Sequence, residues 1–96
     1  MSFSDYPKAA RQKAKSAIDR NRRNGNRCAT QVGKIRAQQI AQGKPLSKTT
    51  LVRTYSYLSR GKAYHDPANP NSCGSVSFDL WGGDVMLGYA RRKLGK

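Results

Sequence analysis

Acidic side chains are scarce in this sequence, which holds five aspartates and no glutamate in 96 residues. The five sit apart at positions 5, 19, 66, 79 and 84, without the close pairing that general acid–base chemistry needs. Asp5 and Asp84 stand near expected helix starts, Asp66 lies in a turn and Asp19 among cations, while Asp79 has no evident role. Histidine is scarcer still. His65, with Asp66 beside it and no serine in a nucleophile elbow, reads as a turn-former ahead of an acid–base pair. Gly82-Gly83-Asp84 lacks the lysine and hydroxyl that would complete a phosphate loop. No enzyme and no cofactor are expected.

Long apolar runs are missing as well. Nothing approaches the roughly 18 consecutive apolar residues of a membrane span, and Met1 to Tyr6 lacks the apolar core of a secretory signal, so a soluble, unexported protein without a membrane partner is expected. The two cysteines, Cys28 and Cys73, form no C-x-x-C pair, which removes a redox motif and a zinc knuckle. They leave three readings. Two semi-buried thiols come first; a tertiary disulfide is disfavoured in a cytosol but allowed in a particle outside the cell; metal ligation joined by His65 comes last.

Cations are what the chain has in abundance. Nineteen Lys and Arg give a formal charge of +14, and self-repulsion on that scale calls for a polyanionic partner. Their distribution is uneven: fifteen face two aspartates up to Lys62, and four face three aspartates from Ala63 on. Lys8, Arg11, Lys15 and Arg22 recur at helical intervals along one side of the first helix, and Arg20, Arg23 and Arg27 thicken its end. Asn21, Asn24 and Asn26 interleave with these arginines and could donate to phosphate or reach a base edge. A second candidate patch joins Lys48, Arg53 and Arg60 with Arg91, Arg92 and Lys93, and Tyr57 is the ring expected to be exposed beside it.

The pattern of elements is helical. A first helix opens near Pro7 with Ser4 or Asp5 at its cap, and its alanine stripe is narrow, so it contributes little burial and can order on binding. A second runs from a Thr30 cap to Gly43 with Val32, Ile35, Ile40 and, as a further candidate, Ala37 inward and Lys34, Arg36 and the glutamines outward. Ser47 caps a third, with Leu51, Tyr55 and Leu58 inward. Asp66-Pro67-Ala68-Asn69-Pro70-Asn71 is an ordered loop, Gly74 to Trp81 a short helix, and Asp84 the cap of a last helix carrying Leu87 and Leu94. The expected fold is mainly α: a small single-domain bundle of four to five short helices with a Pro-rich ordered loop. Residues 1–27 form a basic helix and loop, and 28–96 a compact helical domain whose core also holds Leu80 and Trp81.

Three segments, Gln38 to Ser47, Arg53 to Arg60, and Leu80-Trp81-Gly82-Gly83-Asp84, together resemble a small domain encoded by tailed bacteriophages, found alone or fused to head-assembly proteins. The resemblance spans about Tyr6 to Leu94 and implies a viral origin, with a place in the host cytoplasm or the virion, but no catalytic residues. The function expected from the residues themselves is sequence-tolerant binding of nucleic acid, DNA ahead of RNA, through phosphate contacts by the twelve cations Lys8, Arg11, Lys15, Arg20, Arg22, Arg23, Arg27, Lys48, Arg53, Arg60, Arg91 and Arg92. The alternatives are a virion or head-assembly component docked on another phage structural protein, and a phage effector that binds an acidic host protein.

Overall fold

Hydroxyl side chains start three of the helices. Thr30 Oγ1 accepts from the Gly33 amide at 3.2 Å, Ser47 Oγ from Thr50 at 3.1 Å and Ser72 Oγ from Ser75 at 3.3 Å, each satisfying an amide that the first turn leaves free. In the computed structural model, which describes residues 2–66 and 68–96 and only the backbone of Tyr64, these caps open α2 (Gln31–Ala41), α3 (Lys48–Gly61) and α4 (Cys73–Leu80). Pro67 of the expected loop lies outside the described residues. α1 (Lys8–Arg23) follows Pro7, and α5 (Gly83–Leu94) follows a glycine elbow. The expected α bundle is the observed one.

Asp5 and Asp84 do not cap. Pro7 holds the position before α1 and Gly82 the position before α5, neither with a side-chain cap, and Asp84 sits exposed in the first turn of α5. Two strands of two residues, β1 (Ser2–Phe3) and β2 (Leu46–Ser47), pair antiparallel with Ser2 opposite Ser47 and Phe3 opposite Leu46. They were not expected, because two residues are too few to show an alternation.

The expected boundary at residue 27 is not a packing boundary. Ala10, Ala14 and Ala17 of α1 are fully buried in the same core as Ile40, Leu51, Leu58, Val76, Phe78, Leu80, Met86 and Tyr89. Small side chains let α1 lie close against α2, α4 and α5, so the helix read as a marginal arm stands at the centre of the bundle.

The inward face of α2 is also rotated from the expected one. Gly33, Ala37 and Ile40 are buried, while Val32 and Ile35, expected in the core, are 53% and 49% exposed. Gly33 lies on that inward side against Trp81, where a Cβ would stand at contact distance, 3.5 Å from Trp81 Nε1. Leu51, Leu58, Leu80, Trp81 and Leu87 are buried as expected, and Tyr55 and Leu94 pack half-buried at the core's edge. Tyr57, expected to be an exposed ring, instead stacks on Trp81 with centroids 4.4 Å apart and its hydroxyl against Ser77.

Cys28 and Cys73 are joined in a disulfide, their Cα atoms 4.7 Å apart, which corrects the preference for free thiols and removes the metal reading for this pair. His65 stacks on Phe78 at 4.8 Å. The loop before α4 is tied down locally. Asp66 accepts from the Ala68 amide, Ser75 Oγ donates to the Asp66 carbonyl at 2.9 Å, and Asn24 of the α1–α2 connection donates to the Asn71 carbonyl at 3.1 Å.

The motif Leu80-Trp81-Gly82-Gly83-Asp84 is the elbow between α4 and α5. Gly82 and Gly83 have φ of 102° and 68°, values that side chains of L-residues disfavour. A Cβ on Gly82 would fall 2.5 Å from Met86 Cβ, and one on Gly83 would fall 2.7 Å from Lys13 Cδ.

Candidate nucleic-acid interface

α1 divides its polar residues by helical phase. Arg11, Lys15 and Arg22 face the seam with α2, Ala10, Ala14, Ala17 and Asn21 face the core, and Lys13 and Arg20 face α4 and α5. Asn21 is buried and accepts from the Cys28 amide at 3.0 Å, which fixes the turn after α1. It is therefore a structural residue, not a contact to phosphate or base.

Two hollows run along the α1–α2 seam. One of about 200 Å³ is lined by Lys8, Arg11, Gln12, Lys15 and Ala41, and one of about 140 Å³ by Ile18, Asn21, Arg22, Asn26, Lys34, Gln38 and Leu80. From Lys8 to Arg22 the helix rises about 21 Å, a span of about six base-pair steps along duplex DNA. At the far end Arg23 and Arg27 flank a third, open hollow with Asn24, Gly25, Asn71 and Cys73. Six of the seven cations expected on this side are exposed: Lys8, Arg11, Lys15, Arg22, Arg23 and Arg27.

Arg20 is the exception. Its guanidinium donates to Asp79 Oδ2 at 2.7 Å and to the Pro70 carbonyl at 2.6 Å, and both side chains of the pair are about nine-tenths buried. Arg20 is a strut between α1, α4 and the preceding loop, and it gives Asp79 the role that sequence did not reveal.

The second expected patch divides. Arg53 and Arg60 lie seven residues apart on one edge of α3, whereas Lys48 is about 120–140° around the helix from them. Burial, and then the charge of Arg53, lower the pKa of Arg36 on α2. Arg36 in turn sits 5.8 Å above the Trp81 ring and donates to Gln39 Oε1. Arg91 and Arg92 are exposed on the last turn of α5, and Lys93 is held at 2.9 Å by Asp5. Asp5 also accepts from the Tyr89 hydroxyl, and this bond, with Lys93, holds its carboxyl below the usual aspartate range.

Sequence reasoning underrated Lys34 and Arg36. Both were expected outward but left out of the candidate contacts, and in the structure they stand half-buried on opposite flanks of the outer face of α2. Among the described residues, no group of three His, Cys, Asp or Glu comes together to hold a metal ion. No helix among the described residues is long and apolar enough to cross a membrane.

No protein-family model matches this chain, and neither a curated protein nor a solved structure matches it significantly.

Proposed function

We propose that this protein binds nucleic acid, DNA in the first place, without catalysis and largely through phosphates. Lys8, Arg11, Lys15 and Arg22 on the seam, Arg23 and Arg27 at its end, and Arg53 across α2 make the contacts. The observation that carries this reading is the exposed run of cations on and after α1, Lys8, Arg11, Lys15, Arg22, Arg23 and Arg27, which meets only Asp19, loosely, at 3.9 Å from Arg22, while Asp79 is buried against Arg20. The outer surface is thus left with a cation excess that nothing within the chain neutralises.

The test is binding of labelled duplex and single-stranded DNA measured at several salt concentrations. With roughly six to ten phosphates neutralised, affinity is expected to fall about 10³- to 10⁵-fold between 50 and 200 mM salt. The double change Arg22→Glu, Arg23→Glu should weaken binding without unfolding the protein. Negligible binding even at low salt would overturn the proposal and direct attention to an acidic protein partner.

A second reading, a structural component of a phage particle, draws support from the Cys28–Cys73 disulfide. Such a bond persists outside a reducing cytosol. The basic seam would then face packaged genome, while other surfaces dock on a neighbouring protein.

A further inference from the structure

The exposed face of α2 carries no charge, in a protein of formal charge +14. Gln31, Val32, Ile35, Gln38 and Gln42 are all exposed, and a step of about 100° per residue gathers them on one crown of the helix. Val32 and Ile35 are the two most exposed large apolar side chains among the described residues. Gln42 Nε2 donates to Gln38 Oε1 at 3.3 Å, aligning two of the amides along the crown. Cations border it on both sides, Lys34 and Arg22 at the α1 seam and Arg36, above the Trp81 ring, on the other flank.

That arrangement separates two tasks. Cations on the flanks suit phosphates on either side of a groove, whereas amides and methyl groups on the crown suit base edges. Glutamine can pair with adenine N6 and N7, and apolar side chains pack on the thymine methyl. α2 has 11 residues and is about 16 Å long, enough to cross a major groove about 12 Å wide. The rise from Gln31 to Gln38 is about 10 Å, or about three base pairs.

We propose that the outer face of α2 enters the major groove of duplex DNA and favours A·T-rich sequence. This rests on the nucleic-acid reading above and adds a modest preference to phosphate-dominated binding. It also selects the duplex: A-form RNA has a deep, narrow major groove that excludes side chains, so duplex RNA gains nothing from the crown.

The experiment compares A·T-rich and G·C-rich DNA duplexes and an RNA duplex of equal length, at one salt concentration. The natural protein is expected to prefer the A·T-rich duplex by about tenfold, the scale of one well-placed pair of base contacts. The RNA duplex should bind at about the G·C level. The triple change Val32→Ala, Ile35→Ala, Gln38→Ala, confined to exposed positions, should bring the A·T to G·C ratio near one and leave the slope of log affinity on log salt unchanged. Arg22→Glu with Arg23→Glu should instead weaken all duplexes alike and flatten that slope. A ratio near one in the natural protein, or a ratio indifferent to the triple change, overturns the groove proposal while phosphate binding stands. Absence of binding to every duplex overturns both.

Discussion

Two arginines two residues apart show how position decides what a charge does. Arg20 is buried against Asp79, and Arg22 is exposed with only a loose 3.9 Å approach to Asp19. Arg20→Ala leaves the buried carboxylate without its cation, and chemical denaturation should show a loss of about 3 kcal/mol. Arg22→Ala should change stability by less than about 0.5 kcal/mol, as exposed pairs do, yet weaken DNA binding. Asp5 supports the fold through Tyr89 and Lys93, and its carboxyl titrates below the ordinary 3.8. Its contribution is therefore present above that pH and lost as pH falls through the lower folded value. The melting-temperature difference between the natural protein and Asp5→Asn should shrink as pH falls below the ordinary aspartate value and vanish in stronger acid. Neither pairing was legible in sequence, because Asp79 lies 59 residues from Arg20 and Asp5 lies 84 from Tyr89.

At the level of elements, α2 and the α4–α5 elbow are the places where expectation and structure can be weighed. Thr30 and Ser47 were readable as caps because their bonds reach only three residues along the chain. The inward face of α2 was not. Val32 and Ile35 carry more hydrophobicity than Gly33 and Ala37, but the side of α2 that meets Trp81 and the core is the one with Gly33, Ala37 and Ile40. Val32→Ala should thus cost less than about 0.5 kcal/mol, whereas Ile40→Ala, fully buried on the same helix, should cost about 2–4 kcal/mol. Comparable losses in thermal or urea unfolding would return Val32 to the core. At the elbow, Gly82→Ala must strain a φ of 102° and press on Met86. A loss of about 2–3 kcal/mol is the expected outcome. The alanine stripe of α1 was visible in sequence, but its meaning was not: small residues mark either a weak face or a close contact, and only the neighbours decide.

The whole molecule holds its charge together partly by a covalent link. With its ends 45 positions apart in sequence, the Cys28–Cys73 bond removes chain entropy worth up to about 4 kcal/mol from the unfolded state. It stands alone among the described residues, so reduction with dithiothreitol should lower the melting temperature in one step, and Cys28→Ser with Cys73→Ser should reproduce the shift without reductant. An unchanged melting temperature would mean that the thiols are unpaired in solution. Helical spacing foretold which cations of α1 lie exposed, with Arg20 the exception. The separation of charged flanks from an uncharged crown was beyond it, since that depends on the direction in which α2 faces.

The cleft beside the disulfide has an optical consequence. Cys28 and Trp81 line the same cavity of about 280 Å³, and Trp81 is the sole indole in the chain. Disulfides quench nearby excited indoles by accepting an electron, so the emission of Trp81 should brighten when the bond is reduced. The protein thus carries its own spectroscopic gauge of its redox state, readable without any label.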